Sequence, residues 1–132
     1  MRPYLPILYS ILYIVLFTVV ACTSGETAKA TLAPKDFSQQ LQSQQGVLLD
    51  VRTPEEFEEA HLPDARNINY KSDSFEASLG QLDKSKTYFV YCKAGVRSEK
   101  AVEAMQKMGF SAVYHMDGGI EAWKKEGLPL NN

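Results

Sequence analysis

Lys86-Thr87-Tyr88-Phe89-Val90-Tyr91-Cys92-Lys93-Ala94-Gly95-Val96-Arg97-Ser98 is the stretch on which the fold turns. From Thr87 to Tyr91 every residue is aromatic or β-branched, the composition of a buried strand. The run stops at a cysteine. A glycine-containing loop follows, and Ser98 to Met108 then reads as a helix with Ala101, Val102, Met105 and Met108 on its inner face. Gly109 closes that helix as a left-handed cap.

Working outward, the same alternation repeats. Pro34 to about Gln44 is predicted to be a helix with Phe37 and Leu41 on one face, and Val47-Leu48-Leu49-Asp50-Val51 an apolar strand. Thr53-Pro54-Glu55-Glu56 starts a short helix ending near His61: a cap residue, proline at the first position, then acids in the first turn. Arg66 to Tyr70 reads as a strand, 73–82 as a helix carrying Phe75, Leu79 and Leu82, and Ser111 to His115 as a strand. Asp117-Gly118-Gly119 turns into a last helix from Ile120 to Lys125. Strands alternating with helices predict an α/β fold, a parallel sheet with helices on both faces. Ligands of such sheets gather at the carboxyl ends of the strands, where Cys92 lies.

The residues around Cys92 carry chemistry. Backbone N–H groups in a strand–loop–helix turn form an anion-binding nest, and the following helix adds partial positive charge. Lys93 and Arg97 add two full charges. Each of these favours thiolate over thiol, so Cys92 is expected to titrate below the ordinary cysteine value of about 8.5. Gly95 supplies the backbone freedom that a tight loop needs. The plainer alternative is a buried cysteine ending a strand, with a lysine and an arginine near it by chance.

Composition narrows the classes further. Hydrophobic residues make up 45% of the 132 and charged residues 23%, enough for one globular domain. Residues 3–22 carry no charge. Without residues 1–21, which hold only Arg2, 13 basic and 16 acidic residues remain, a formal −3. A weakly acidic chain without a basic stripe gives no support for nucleic-acid binding. One early positive charge, a long apolar run and small residues before a cysteine form a secretory layout. Val19-Val20-Ala21-Cys22 resembles a lipobox, the cleavage site of bacterial lipoproteins. That resemblance implies a signal peptide over 1–21, lipidation at Cys22, and a membrane-anchored protein outside the cytoplasm on the bacterial envelope. Residues 22–33 read as a polar tether. An uncleaved signal anchor is the alternative, since such a run just spans a bilayer. Of the two cysteines, a lipidated Cys22 leaves Cys92 as a lone thiol.

Cys92-Lys93-Ala94-Gly95-Val96-Arg97-Ser98 resembles the active-site loop of the rhodanese family, and the likeness covers roughly residues 34–130. Asp50-Val51-Arg52-Thr53-Pro54-Glu55-Glu56-Phe57 is similar to its D-V-R-x-x-x-E-[FY] segment. His61-Leu62-Pro63-Asp64-Ala65-Arg66-Asn67-Ile68 is similar to its G-H-I-x-G-A-x-N-[IL] segment, with Ala60, Leu62 and Asp64 departing from the commonest letters. Gly118-Gly119-Ile120-Glu121-Ala122-Trp123 is similar to its terminal G-G-[IW]-x-x-W segment. The four stand in family order.

The resemblance implies a five-stranded parallel sheet flanked by helices, and a reaction. Cys92 attacks the outer sulfur of thiosulfate or a related anionic donor and becomes a persulfide, and cyanide or a thiol then takes the sulfur. Lys93, Ala94, Gly95, Val96, Arg97 and Ser98 would bind the donor: loop amides on the sulfur, Lys93 and Arg97 on the departing sulfite, Ser98 as a further donor. No metal or organic cofactor is implied, and a monomer is expected. Cysteine phosphatases and arsenate reductases use a cradle one residue longer than the six from Cys92 to Arg97. A non-turnover persulfide carrier and a catalytically silent scaffold are the other readings. Asp50 and Arg52 are expected to tie loops together, His61 to make a structural hydrogen bond, and His115 to be non-catalytic. Trp123, Phe57 and Phe110 are expected in the core, Glu55-Glu56 to serve the helix dipole, and Glu58-Glu59 to face solvent.

Overall fold

In the computed structural model residues 30–132 are described, and they form alternating strands and helices. The order is β1 (Ala30–Leu32), α1 (Pro34–Ser43), β2 (Val47–Asp50), α2 (Pro54–Glu59), β3 (Arg66–Asn67), α3 (Phe75–Gly80), β4 (Thr87–Tyr91), α4 (Val96–Lys107), β5 (Ala112–Met116) and α5 (Gly119–Lys125). The five strands form one sheet in the order β1-β5-β4-β2-β3, every pairing parallel. The apolar strand that ends in Cys92 is therefore the middle one.

Side chains on β4 alternate between two cores, as the pleat requires. Tyr88, Val90 and Cys92 join Leu49, Ala101, Val102 and Met105 on the face covered by α3 and α4. Phe89 and Tyr91 join Phe37, Leu48, Met116, Ile120 and Trp123 on the face covered by α1 and α5. Burial on both faces explains why β4 reads as a continuous apolar run.

Several boundaries differ from the sequence expectation, each for a local reason. β1 lies inside the stretch read as a tether: Ala30, Thr31 and Leu32 pair with Tyr114, His115 and Met116 along the open edge of β5. Three residues with one large apolar side chain, Leu32, are too short a run to announce a strand. β3 covers only Arg66–Asn67, not Arg66 to Tyr70. It sits at the other edge, and there the Asn67 amide donates to the carbonyls of Asp50 and Arg52. α4 begins at Val96 rather than Ser98, because Gly95 takes φ +104° and turns the chain straight into the helix. Gly109 has φ +88°, the expected left-handed cap. The signal peptide over 1–21, Cys22 and the rest of the tether up to residue 29 lie outside the described residues. Among the described residues no helix is long and apolar enough to cross a membrane.

Candidate active site

β4 delivers Cys92 to the carboxyl end of the sheet, and the loop from Lys93 to Gly95 folds back over it. The Gly95 N–H donates to the Cys92 Sγ at 3.1 Å. The thiol is buried, as is Gly95, while Lys93, Ala94 and Val96 are exposed. Cys92 is the one free cysteine among the described residues. The sulfur thus has a backbone donor at short range and starts one turn away from the N-terminus of α4, which favours negative charge.

The last helix holds this loop from behind. The amides of Ile120 and Glu121, in the first turn of α5, donate to the carbonyls of Cys92 and Lys93 at 2.9 and 3.1 Å. That approach leaves no space for a side chain at Gly119: a Cβ there would lie 2.4 Å from both carbonyl oxygens. Ser98 is buried, and its hydroxyl donates to the Gly95 carbonyl at 3.0 Å. That bond fastens the loop to the first turn of α4.

The two loop cations both have carboxylate neighbours. Arg97 forms a two-pronged pair with Glu56 of α2, its terminal nitrogens donating to the two oxygens at 2.7 and 2.9 Å. Glu56 also closes a capping box, accepting from the Thr53 N–H while Thr53 Oγ1 accepts from the Glu56 N–H. The Arg97 hydrogen bonds hold the Glu56 carboxyl down at about 2, from an ordinary 4.5. The same bonds raise the Arg97 guanidinium, so it stays charged. Arg97 lies in the first turn of α4, where a cation opposes the helix dipole, and Glu56 compensates. Lys93 lies on the surface, its Nζ 3.9 Å from a Glu121 oxygen. Glu56 does more than serve its own helix dipole. Its partner stands 41 positions away, and no spacing rule announces that meeting.

Beneath the site, Asp50 and Arg52 form a second, buried fork, closest at 2.6 Å. Arg52 also donates to the Ala60 carbonyl at 2.7 Å, tying the end of β2 to the end of α2 as expected. The Tyr91 hydroxyl accepts from the Leu62 N–H, and burial pushes its ionisation well above the usual range. His61 stacks on Phe57 at 3.9 Å, its Nδ1 lying 2.9 Å from the Phe57 carbonyl, the structural role expected of it. His115 Nε2 meets Thr31 Oγ1 at 2.8 Å, across the β1–β5 edge. Trp123 and Phe110 are core residues, but Phe57 is only half-buried, covered on one side by His61. A cavity of about 450 Å³ lined by Leu41, Gly46, Leu62, Asp64, Trp123 and Pro129 opens near the amino end of β2, away from the Cys92 end of the sheet.

Residues 33–126 match the Rhodanese-like domain family. The chain belongs to that family. This rhodanese-like domain is 37% identical over 113 residues to a probable adenylyltransferase/sulfurtransferase MoeZ of Mycobacterium tuberculosis, covering 84% of this chain and 29% of the relative. It therefore spans less than a third of that relative's length. It is 36% identical over 91 residues to the thiosulfate sulfurtransferase GlpE of Pseudomonas syringae, covering 69% of this chain and 84% of the relative. Among solved structures, a rhodanese-related protein from Thermoplasma volcanium superposes with a TM-score of 0.69 at 27% identity, over 77% of this chain and 97% of that one. The rhodanese-like fold, a five-stranded parallel sheet with flanking helices, is thus shared, and relatives bearing sulfurtransferase names are among its kin.

Proposed function

We propose that this rhodanese-like domain is a sulfurtransferase that moves a sulfane sulfur from thiosulfate or a related anionic donor to a thiophilic acceptor through a persulfide on Cys92. The supporting observation is the Cys92 Sγ held 3.1 Å from the Gly95 N–H at the end of the central strand. The Cys92 thiolate attacks the outer sulfur of the donor. A Cys92–sulfur bond forms, the donor's sulfur–sulfur bond breaks, and sulfite leaves with the electron pair. Cyanide or a thiol then attacks the outer persulfide sulfur and restores the Cys92 thiolate. The Gly95 N–H steadies the anionic sulfur in both steps, as a preorganised donor does. Two displacements through one covalent intermediate give ping-pong kinetics.

The test is thiocyanate formation from thiosulfate and cyanide, wild type against Cys92→Ser. Turnover that falls to the uncatalysed background in the variant supports the proposal. A folded wild type that yields no thiocyanate with any sulfane donor overturns it.

One observation favours a persulfide carrier as the second reading. Arg97, expected to meet the departing sulfite, is paired with Glu56 on both terminal nitrogens. A loop with less free positive charge attracts small anions less. A protein one sulfur atom heavier at Cys92, with no steady-state turnover, would single out the carrier.

The placement proposed for the domain is the periplasmic face of the bacterial cell envelope, as a monomer anchored through lipidated Cys22. It rests on the Val19-Val20-Ala21-Cys22 stretch. Incorporation of labelled fatty acid, absent in Cys22→Ser, is the expected result.

A further inference from the structure

We infer that the cavity near the amino end of β2 binds a small organic cation, an amine whose apolar body rests against Trp123 and whose charge meets Asp64. The cavity measures about 450 Å³, within the range of sites that take small molecules. Its walls are largely apolar. Leu48, Leu62 and Trp123 line it and are almost wholly buried, and the half-buried Leu41 and Val47 join them. The Trp123 Nε1 donates to the Pro129 carbonyl at 2.9 Å, so the one polar atom of that ring is already satisfied. Ser38 and Gln42, also in the lining, bond each other, Nε2 donating to Oγ at 3.4 Å. Asp64 is the one charged side chain in the lining, and no ion pair among the described residues engages it. An exposed aspartate is ordinary on a surface, so the backbone beneath it has to decide its meaning.

Among the described residues two that are not glycine have a positive φ, Gln45 at 49° and Asp64 at 64°, and both line this cavity. They belong to separate turns. Gln45 follows the cap of α1, and Asp64 lies between α2 and β3. Glycine adopts that conformation without steric cost, and it is the usual residue just past a helix end, where Gln45 stands. Each turn carries instead a side chain able to hydrogen-bond, and among the described residues neither side chain bonds back to its own turn. Backbone held in this region clusters at ligand clamps. The Asp64 carboxylate repels an anion and gains nothing from a neutral body. An ammonium group matches it, and the Gln45 amide oxygen is a further acceptor at the same cavity.

The chain's single tryptophan lines the cavity and serves as the reporter. Trp123 fluorescence of the full-length chain is titrated with phenylbutylamine, phenylbutanol and phenylbutyrate, which share one body and differ in charge. The amine should give a saturable change and bind roughly two- to fivefold more tightly than the alcohol, the gain of one partly solvated ion pair. The carboxylate should bind most weakly. Asp64→Asn and Asp64→Gly should bring amine and alcohol to equal affinity, and glycine, which suits the positive φ at this position, guards against loss of the fold. An amine that produces no saturable change, or a preference for it that survives in both variants, overturns the inference. A Trp123 signal that moves with protein concentration alone would assign the cavity to a second copy of the chain and overturn it too. Sulfur transfer through Cys92 is judged separately, by thiocyanate formation.

Discussion

Two arginine–carboxylate forks lie at the carboxyl end of the sheet, and they differ in little but depth. The Asp50–Arg52 side chains are 0% and 6% exposed, while those of Glu56 and Arg97 are 28% and 19% exposed. The deep fork ties backbone to backbone. Its arginine reaches the Ala60 carbonyl and lies over the Tyr91 ring at 5.7 Å. The shallow fork joins two helices that share nothing else in sequence, and it sets how much charge the Cys92 loop shows to solvent. Depth decides which of the two is structural. A buried ion cannot be left alone, whereas a half-open one can turn to water.

Removing one partner from each fork measures that difference. Arg52→Ala leaves the Asp50 carboxylate buried without its cation and should cost about 3–5 kcal/mol of stability, read from urea midpoints. A loss below about 1 kcal/mol would mean that the deep fork is no more structural than the shallow one.

Glu56→Gln should cost less, about 1–2 kcal/mol after allowance for solvent screening. The sign of its acid dependence follows from a carboxyl at about 2 in the fold against an ordinary 4.5. A depressed folded value stabilises above the unfolded one. The contribution is therefore complete above about pH 5 and fades as the pH falls toward 2. Wild type and variant should differ in urea midpoint near neutrality and converge near pH 2. A gap that persists unchanged into acid would assign it to lost packing or capping instead of the ion pair.

The smallest effect belongs to the Lys93–Glu121 pair, which is 3.9 Å long with side chains 62% and 51% exposed. Lys93→Ala should move stability by less than about 0.5 kcal/mol. A larger change would show that the loop leans on this contact as it does on Glu56.

The forks also mark the boundary of what the sequence reveals. Strand β4, its cysteine and the loop glycine are legible because composition, length and backbone freedom are local properties. The Asp50–Arg52 tie is legible too, its partners being two residues apart. Glu56 and Arg97 are not, because only the pairing of β2 beside β4 brings their helices together. β1 escapes for a related reason. Its strand character comes from the free edge of β5, not from Ala30-Thr31-Leu32 themselves. The role of Gly118-Gly119 stands between these cases. The turn is visible, but the two carbonyls that occupy the space of the missing side chain belong to a loop formed much earlier in the chain.

That last contact sets an order of events during synthesis. A polypeptide leaves the ribosome amino end first, so Cys92 and Lys93 emerge before the amides of Ile120 and Glu121 that donate to their carbonyls. Until those amides arrive, the thiol belongs to a nascent chain whose loop has no back wall. In a Cys22→Ser background, released chains truncated before Gly118 should therefore label with a thiol-specific alkylating reagent faster than chains that include α5. The thiol acquires its sheltered setting only once the last helix of the domain has formed.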